Sequence, residues 1–198
     1  MTTLLERPEK ALAARACVVE AASGLAKIRQ SDIALVIWRR ASRAAVQAEV
    51  AQSSPDQLPA FRLEDVALAD LGATLPQHVA ATQALGDDIT DLAQHYARLM
   101  RVTRVRIRLE TVTTDACSRF HVDRVRLRLL TTYVGPGTDW LDADAAPDRC
   151  IRRLPEGAVA LLKGSLWPGS PGCPHRSPPL AGTGRHRLLL SIDEGPGR

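Results

Sequence analysis

Phe120-His121-Val122-Asp123 and, well downstream, Pro174-His175-Arg176-Ser177-Pro178-Pro179 carry the residue types that chelate a transition metal. Two imidazoles and one carboxylate form a ligand set suited to non-haem iron(II), with coordination positions left open for chemistry. His121 and Asp123 are separated by a single residue, so on a β-strand they project from one face. A helix would set them about 200° apart and spoil the chelate. The chemistry therefore asks for extended chain around His121 and for a path that returns His175 to the same place.

The open positions on such a metal suit a bidentate cosubstrate and dioxygen. An oxygenase that uses 2-oxoglutarate also needs a cation for the far carboxylate, and the arginine fork matches a carboxylate bidentately. Arg185 and Arg187 follow His175 on a strand-like segment and share parity, so both are candidates for that cation. Arg187 is preferred because Ser191, further along the same face, could add a hydroxyl near the same anion. Tyr133 and Trp140 are the aromatic side chains best placed to line a substrate pocket.

A different chemistry competes for the same histidines. Cys117 lies four residues before His121, and Cys173 two before His175. Cys117, His121, Cys173 and His175 would make a closed tetrahedral zinc site in a non-catalytic metal-binding or metal-homeostasis protein. That set leaves Asp123 unused, and its spacings differ from common finger patterns. Cys17 and Cys150 read as structural or incidental.

The elements that must position these residues change character midway along the chain. Residues 1–23 are Ala-rich and read as helix, Ile33-Ala34-Leu35-Val36-Ile37-Trp38 as a short buried strand, and residues 39–51 as helix. Thr74-Leu75-Pro76 opens another helix, and residues 87–100 carry Ile89, Leu92, Tyr96 and Leu99 at helical spacing. After Arg101 the period falls to two. Val105-Arg106-Ile107-Arg108-Leu109 and Val125-Arg126-Leu127-Arg128-Leu129 alternate apolar and basic residues, as strands with one buried face do. Counting back along the second run gives His121 and Asp123 the parity of Leu127 and Leu129, with Arg124, Arg126 and Arg128 on the other side. Residues 158–163 and 185–192 complete the strands, with Gly164 to Gly172 irregular. The expected fold is α+β. A mainly helical part with one short strand (residues 1–100) packs on a double-stranded β-helix, or jelly roll (residues 101–198), within one compact domain.

Composition narrows the function classes. A chain of 198 residues, 45% hydrophobic and 24% charged, can bury a real core. No run approaches eighteen apolar residues, so no membrane span is expected. The first ten residues include Glu6 and Glu9 and lack a secretory pattern, which points to the cytoplasm. The net charge of +4 is spread along strands, and aromatic content of 4% gives little base-stacking surface, so nucleic acid is not the expected partner. A small-molecule substrate is. None of the four cysteines forms a C-x-x-C pair, and free thiols are expected. His78, His95 and His186 read as packing or surface residues, Asp142, Asp144 and Asp148 as a solvated loop.

Several stretches together resemble the bacterial family known as domain of unknown function 1826. They are Ile37-Trp38-Arg39-Arg40, Arg119-Phe120-His121-Val122-Asp123, residues 129–140, Leu161-Leu162-Lys163-Gly164 and the Pro174 to Pro179 turn. The C-terminal half of that family is similar to iron(II)/2-oxoglutarate oxygenases, including phytanoyl-hydroxylase-like members. The resemblance implies His121, Asp123 and His175 at the metal-ligand positions, and Arg187 or Arg185 at the cosubstrate position.

Overall fold

The structure, a computed structural model, describes residues 14–40, 43–51, 54, 56–79, 82–146 and 150–196. Its strands are β1 (Ala16–Val19), β2 (Leu35–Trp38), β3 (Phe61–Ala67), β4 (Arg104–Val112), β5 (Leu127–Val134), β6 (Asp139–Leu141), β7 (Ile151–Arg153), β8 (Val159–Lys163), β9 (His175–Arg176) and β10 (Arg187–Glu194). Its helices are α1 (Ala44–Ala51), α2 (Leu71–Thr74), α3 (Pro76–Val79) and α4 (Gln83–Met100), with a 3-10 segment over Ala22–Arg29. The architecture is mixed α+β. A seven-stranded sheet runs β1-β2-β8-β5-β10-β4-β3, and a three-stranded sheet runs β7-β6-β9.

Two cores lie on the two faces of the large sheet. The first joins Ile107, Leu129, Leu188 and Leu190 to Leu85, Ile89, Leu92 and Tyr96 of α4. The helix was legible because its apolar stripe at helical spacing is what packs there, and Tyr96 locks it by donating to the Leu127 carbonyl at 2.9 Å. The second core joins Leu35, Ile37, Leu130, Leu162 and Leu189 of the large sheet to Trp140 of the small one. Central strands are thus covered on both sides, and adjacent residues such as Leu129 and Leu130 enter different cores.

Three expectations change. The helix expected over residues 1–23 falls partly outside the described residues, and within them Ala16–Val19 is a strand paired parallel to β2. Alanine's helix preference is a weak prior, and a sheet edge that can bury Val19 outweighs it. The first hundred residues hold β1, β2 and β3 rather than one strand, and these pair with β8 and β4. A boundary at residue 100 would therefore cut the large sheet. Finally, Val125 and Arg126 precede β5, which begins at Leu127. Among the described residues no helix is long and apolar enough to cross a membrane.

Candidate metal and cosubstrate site

His121 and His175 meet through their backbones first. Each donates its N–H to the other's carbonyl, at 3.0 and 2.9 Å, in an isolated antiparallel bridge. The loop before His121 is strapped to the turn after His175. Ser177 N–H donates to the Cys117 carbonyl at 3.0 Å, and Asp115 Oδ1 accepts from Leu180 and Ala181 N–H at 2.6 and 2.8 Å. On the far side the chain closes over Gly164, where a Cβ would stand 2.1 Å from the Val125 carbonyl oxygen, so only glycine fits.

These straps bring His121, Asp123 and His175 together, with one ligand atom from each lying within 4.8 Å of the others. The tautomers follow from the backbone. His121 Nδ1 lies 2.9 Å from the Arg119 carbonyl, and His175 Nδ1 lies 3.0 Å from the Cys173 carbonyl. A carbonyl only accepts, so the neutral rings carry their proton on Nδ1 and present a bare lone pair at Nε2. Both Nε2 atoms face Asp123, at 3.7 Å from Oδ1 and 3.1 Å from Oδ2. Asp123 Oδ2 is buried and accepts no hydrogen bond. Three lone-pair-bearing atoms thus converge with no hydrogen among them, an arrangement that a cation relieves. Backbone carbonyls that fix the outer ring nitrogen are also the usual support of metal-bound histidine.

Asp123 is held from behind by Arg128, whose Nη1 donates to Oδ1 at 2.7 Å while Nε and Nη2 grip Asp193 at 2.8 and 2.5 Å. Burial acts to raise the Asp123 pKa, but a hydrogen bond from His175 Nε2 when that ring is protonated, and the charge of Arg128, outweigh it and bring the pKa to about 2. The carboxylate is therefore ionised and ready to bind a cation. Its face differs from the one expected. Alternation cannot be counted back from Leu127, because residues 122–126 are irregular. Leu127 and Leu129 face the helices, whereas Asp123 meets Arg128 on the opposite face.

Arg187, at the start of β10, has 0% of its surface exposed. Its guanidinium donates to the hydroxyls of Thr132 (3.1 Å), Thr138 (2.9 Å) and Ser177 (3.2 Å), while Nε has no partner. Burial lowers its pKa to about 10, against the attraction of Asp139. Asp139 itself is engaged by Arg153 at 2.7 Å and Arg176 at 3.5 Å. Among the described residues Arg187 makes no ion pair, and a buried cation that hydrogen-bonds only hydroxyls is a site that an anion completes. Sequence reasoning missed Thr132, Thr138 and Ser177 as its partners. Ser177 had a signal, standing two residues after His175 in the same turn.

A family model for proteins of unknown function, DUF1826, matches residues 20–193. The chain belongs to that family. No curated protein matches the sequence. Among solved structures the chain is similar to a protein of Shewanella oneidensis named as a candidate oxygenase, with TM-score 0.56 and 11% identity over 92% of this chain and 90% of that one. It is also similar to JOX2 in complex with 2-oxoglutarate, iron and JA, with TM-score 0.53 and 10% identity over 99% and 81% of the two chains. The rice dioxygenase for auxin oxidation gives TM-score 0.51 and 16% identity over 91% and 82%. At these identities the likeness is one of fold.

The remaining candidates do not gather at this site. Arg185 is exposed and precedes β10, so strand parity does not link it to Arg187. Ser191 is buried on the Arg187 face, but four residues further along β10, about 13 Å away. Its strand partners are Leu130 and Arg108, so it cannot serve the anion that Arg187 would hold. Tyr133 points to the helix side, where its hydroxyl donates to Asp88 at 2.8 Å. It lines no pocket near His121. Trp140 is buried in the second core, paired across the small sheet with His175. The zinc set is not assembled. Cys117 is exposed, Cys173 is fully buried with its thiol pKa pushed up by burial, and neither joins the three-residue group. All four cysteines are free. His78 stacks on Phe61 and His95 meets Trp38 edge-on, as packing residues.

Proposed function

We propose that the protein is a mononuclear iron(II), 2-oxoglutarate-dependent oxygenase acting on a small molecule, and that its two sheets are the halves of a double-stranded β-helix. The observation that carries the reading is the pairing of two unmet demands on one face of the sheet. Lone pairs from His121, Asp123 and His175 converge without a proton, and the buried Arg187 guanidinium lacks a carboxylate. The first suits a divalent metal with an imidazole and carboxylate preference, the second the far carboxylate of 2-oxoglutarate. Fold similarity to JOX2, solved with 2-oxoglutarate and iron, supports the same assignment.

His121, Asp123 and His175 would hold the metal, with Arg128 fixing the Asp123 carboxylate and the Arg119 and Cys173 carbonyls fixing the rings. Arg187 would anchor the cosubstrate, with Thr132, Thr138 and Ser177 orienting its fork and accepting part of its charge. Bound iron(II) with 2-oxoglutarate supplies the means to oxidise an unactivated C–H bond with dioxygen. Anaerobic addition of iron(II) and 2-oxoglutarate should produce a weak visible charge-transfer band that His121→Ala abolishes. Absence of the band in the wild-type protein would sink the reading.

A further inference from the structure

The face of the large sheet that carries Arg128 continues into an open cleft of about 130 Å3, lined by four arginines together with Glu64, Asp193 and Ser191. Strand register arranges these side chains in two rows. In the row next to Asp123, Asp193 stands across from Arg106 on one side and Arg128 on the other, so its carboxylate lies between two cations. In the next row Arg62 of β3 stands directly across from Arg108 of β4, and Arg108 directly across from Ser191 of β10. Like charges directly opposite one another weaken a sheet. No carboxylate lies between these two in the register.

Nearby acids do not fill that gap. Glu64 reaches Arg62 only at 3.5 Å and is shared with Arg106 at 2.9 Å, while Glu110 stands 3.6 Å from Arg108. Even the Arg106 contact is an ion pair without a hydrogen bond, since Arg106 Nε is buried and finds no acceptor along its N–H. The cleft therefore offers two guanidinium forks and a buried serine hydroxyl on a lining where four arginines outnumber two carboxylates, Glu64 and Asp193.

We propose that Arg62, Arg108 and Ser191 bind the anionic group of the substrate, a small molecule that carries a carboxylate or a phosphate. Arginine forks grip either group bidentately, and the serine hydroxyl adds a third donor. Ser191 is two residues, about 7 Å, from Asp193, whose partner Arg128 holds Asp123. This row thus adjoins the Asp193–Arg128 pair that holds the metal-ligand candidate Asp123. Arg187 starts about 13 Å from Ser191 along β10, and its guanidinium turns to Thr138 and to Ser177 in the turn after His175, so the two anion sites are separate. Recognition by charge also suits a chain with 4% aromatic residues. What happens to the bound molecule rests on the oxygenase reading, whereas the anion site itself does not.

The test is line broadening in 31P spectra of inorganic phosphate and in 13C spectra of labelled acetate, added to metal-free protein. At least one probe should saturate in the wild-type protein and bind about tenfold more weakly to Arg62→Gln and to Arg108→Gln. The probe that saturates names the group. The 2-oxoglutarate-induced rise in melting temperature should persist in Arg108→Gln and vanish in Arg187→Gln. In low salt without added anions, Arg108→Gln should melt no lower than wild type, because a repulsive pair has been removed. Failure of both probes to saturate, wild-type affinity in Arg108→Gln, or a large drop in its melting temperature would each overturn the proposal. A missing iron charge-transfer band alongside intact anion binding would instead remove the oxygenase reading alone.

Discussion

Thr132 and Tyr133 are neighbours on β5, yet they lead to two buried arginines with opposite fates. On the helix side Tyr133 donates to Asp88, which also receives Arg40 at 2.6 Å and Arg43. Asp88 and Arg40 have side-chain exposures of 1% and 5%, so each depends on the other for compensation. On the opposite side Thr132 accepts from Arg187, whose hydrogen bonds go to hydroxyls and which makes no ion pair among the described residues. A buried charge that is already paired holds a fold together. A buried charge left unpaired by the fold is free to pair with a ligand.

The sharpest way to break this contrast is to remove the acid from the closed cluster. Asp88→Ala leaves Arg40 buried without its partner and should cost about 3–5 kcal/mol in denaturant unfolding. The double variant with Arg40→Met should recover most of that loss. A fall of less than 1 kcal/mol in Asp88→Ala would show that the cluster is not structural.

Arg187 should behave in the reverse way. Its pKa, lowered by burial to about 10, means that the folded state carries the cost of the buried charge at every pH below about 10. That cost is about 3 kcal/mol, partly offset by the hydroxyl contacts. Arg187→Met should therefore keep or raise the stability of the ligand-free protein. It should also lose the stabilisation by 2-oxoglutarate, which is about 2.7 kcal/mol in wild type at a hundredfold excess over Kd. Thermal melts with and without 2-oxoglutarate read both effects.

Tyr133 links the two faces and gives a smaller signal. Tyr133→Phe removes one hydrogen bond to a charged partner and should cost about 2 kcal/mol. Burial, then the nearby Asp88, hold the Tyr133 hydroxyl well above its ordinary pKa. The protonated phenol thus contributes fully below the unfolded pKa of about 10, and that contribution is lost as pH rises beyond it. Melting curves from pH 9 upward should fall less steeply for Tyr133→Phe than for wild type. Tyr96, also raised by burial, supplies part of the remaining slope. The smallest effect belongs to the exposed pair of Arg126 and Glu194. Despite 2.6 and 2.7 Å contacts, Arg126→Gln should cost less than about 1 kcal/mol, because solvent screens both groups.

Much of this arrangement was legible in residue order. The stripe of Ile89, Leu92 and Tyr96 specified α4, and the alternation of Val105, Ile107 and Leu109 specified β4, because each pattern records which neighbours a side chain must have. His121, Asp123, His175 and Arg187 were picked out by chemical type and local setting. Less legible was anything that depends on where regular structure stops. Parity was carried through residues 122–126 as though they were strand, which put Asp123 on the wrong face and Arg128 beyond its reach. Parity also tied Arg185 to Arg187, although β10 begins at Arg187 and leaves Arg185 in solvent. Tyr133 was assigned to a substrate pocket because its aromatic type was visible and its side of the sheet was not.

The sequence alone thus determined which side chains could bind a metal or an anion, and which segments could be helix or strand, since both are properties of residue type and short-range period. The tertiary structure decided which of them meet. The His121–His175 bridge, the Asp115 strap and the grip of Arg128 on Asp193 join residues far apart in the chain, and no local pattern encodes them. The same holds for charge compensation. Arg40 and Arg187 look alike in sequence, and only packing shows that one is neutralised by Asp88 while the other is buried among hydroxyls without a counterion.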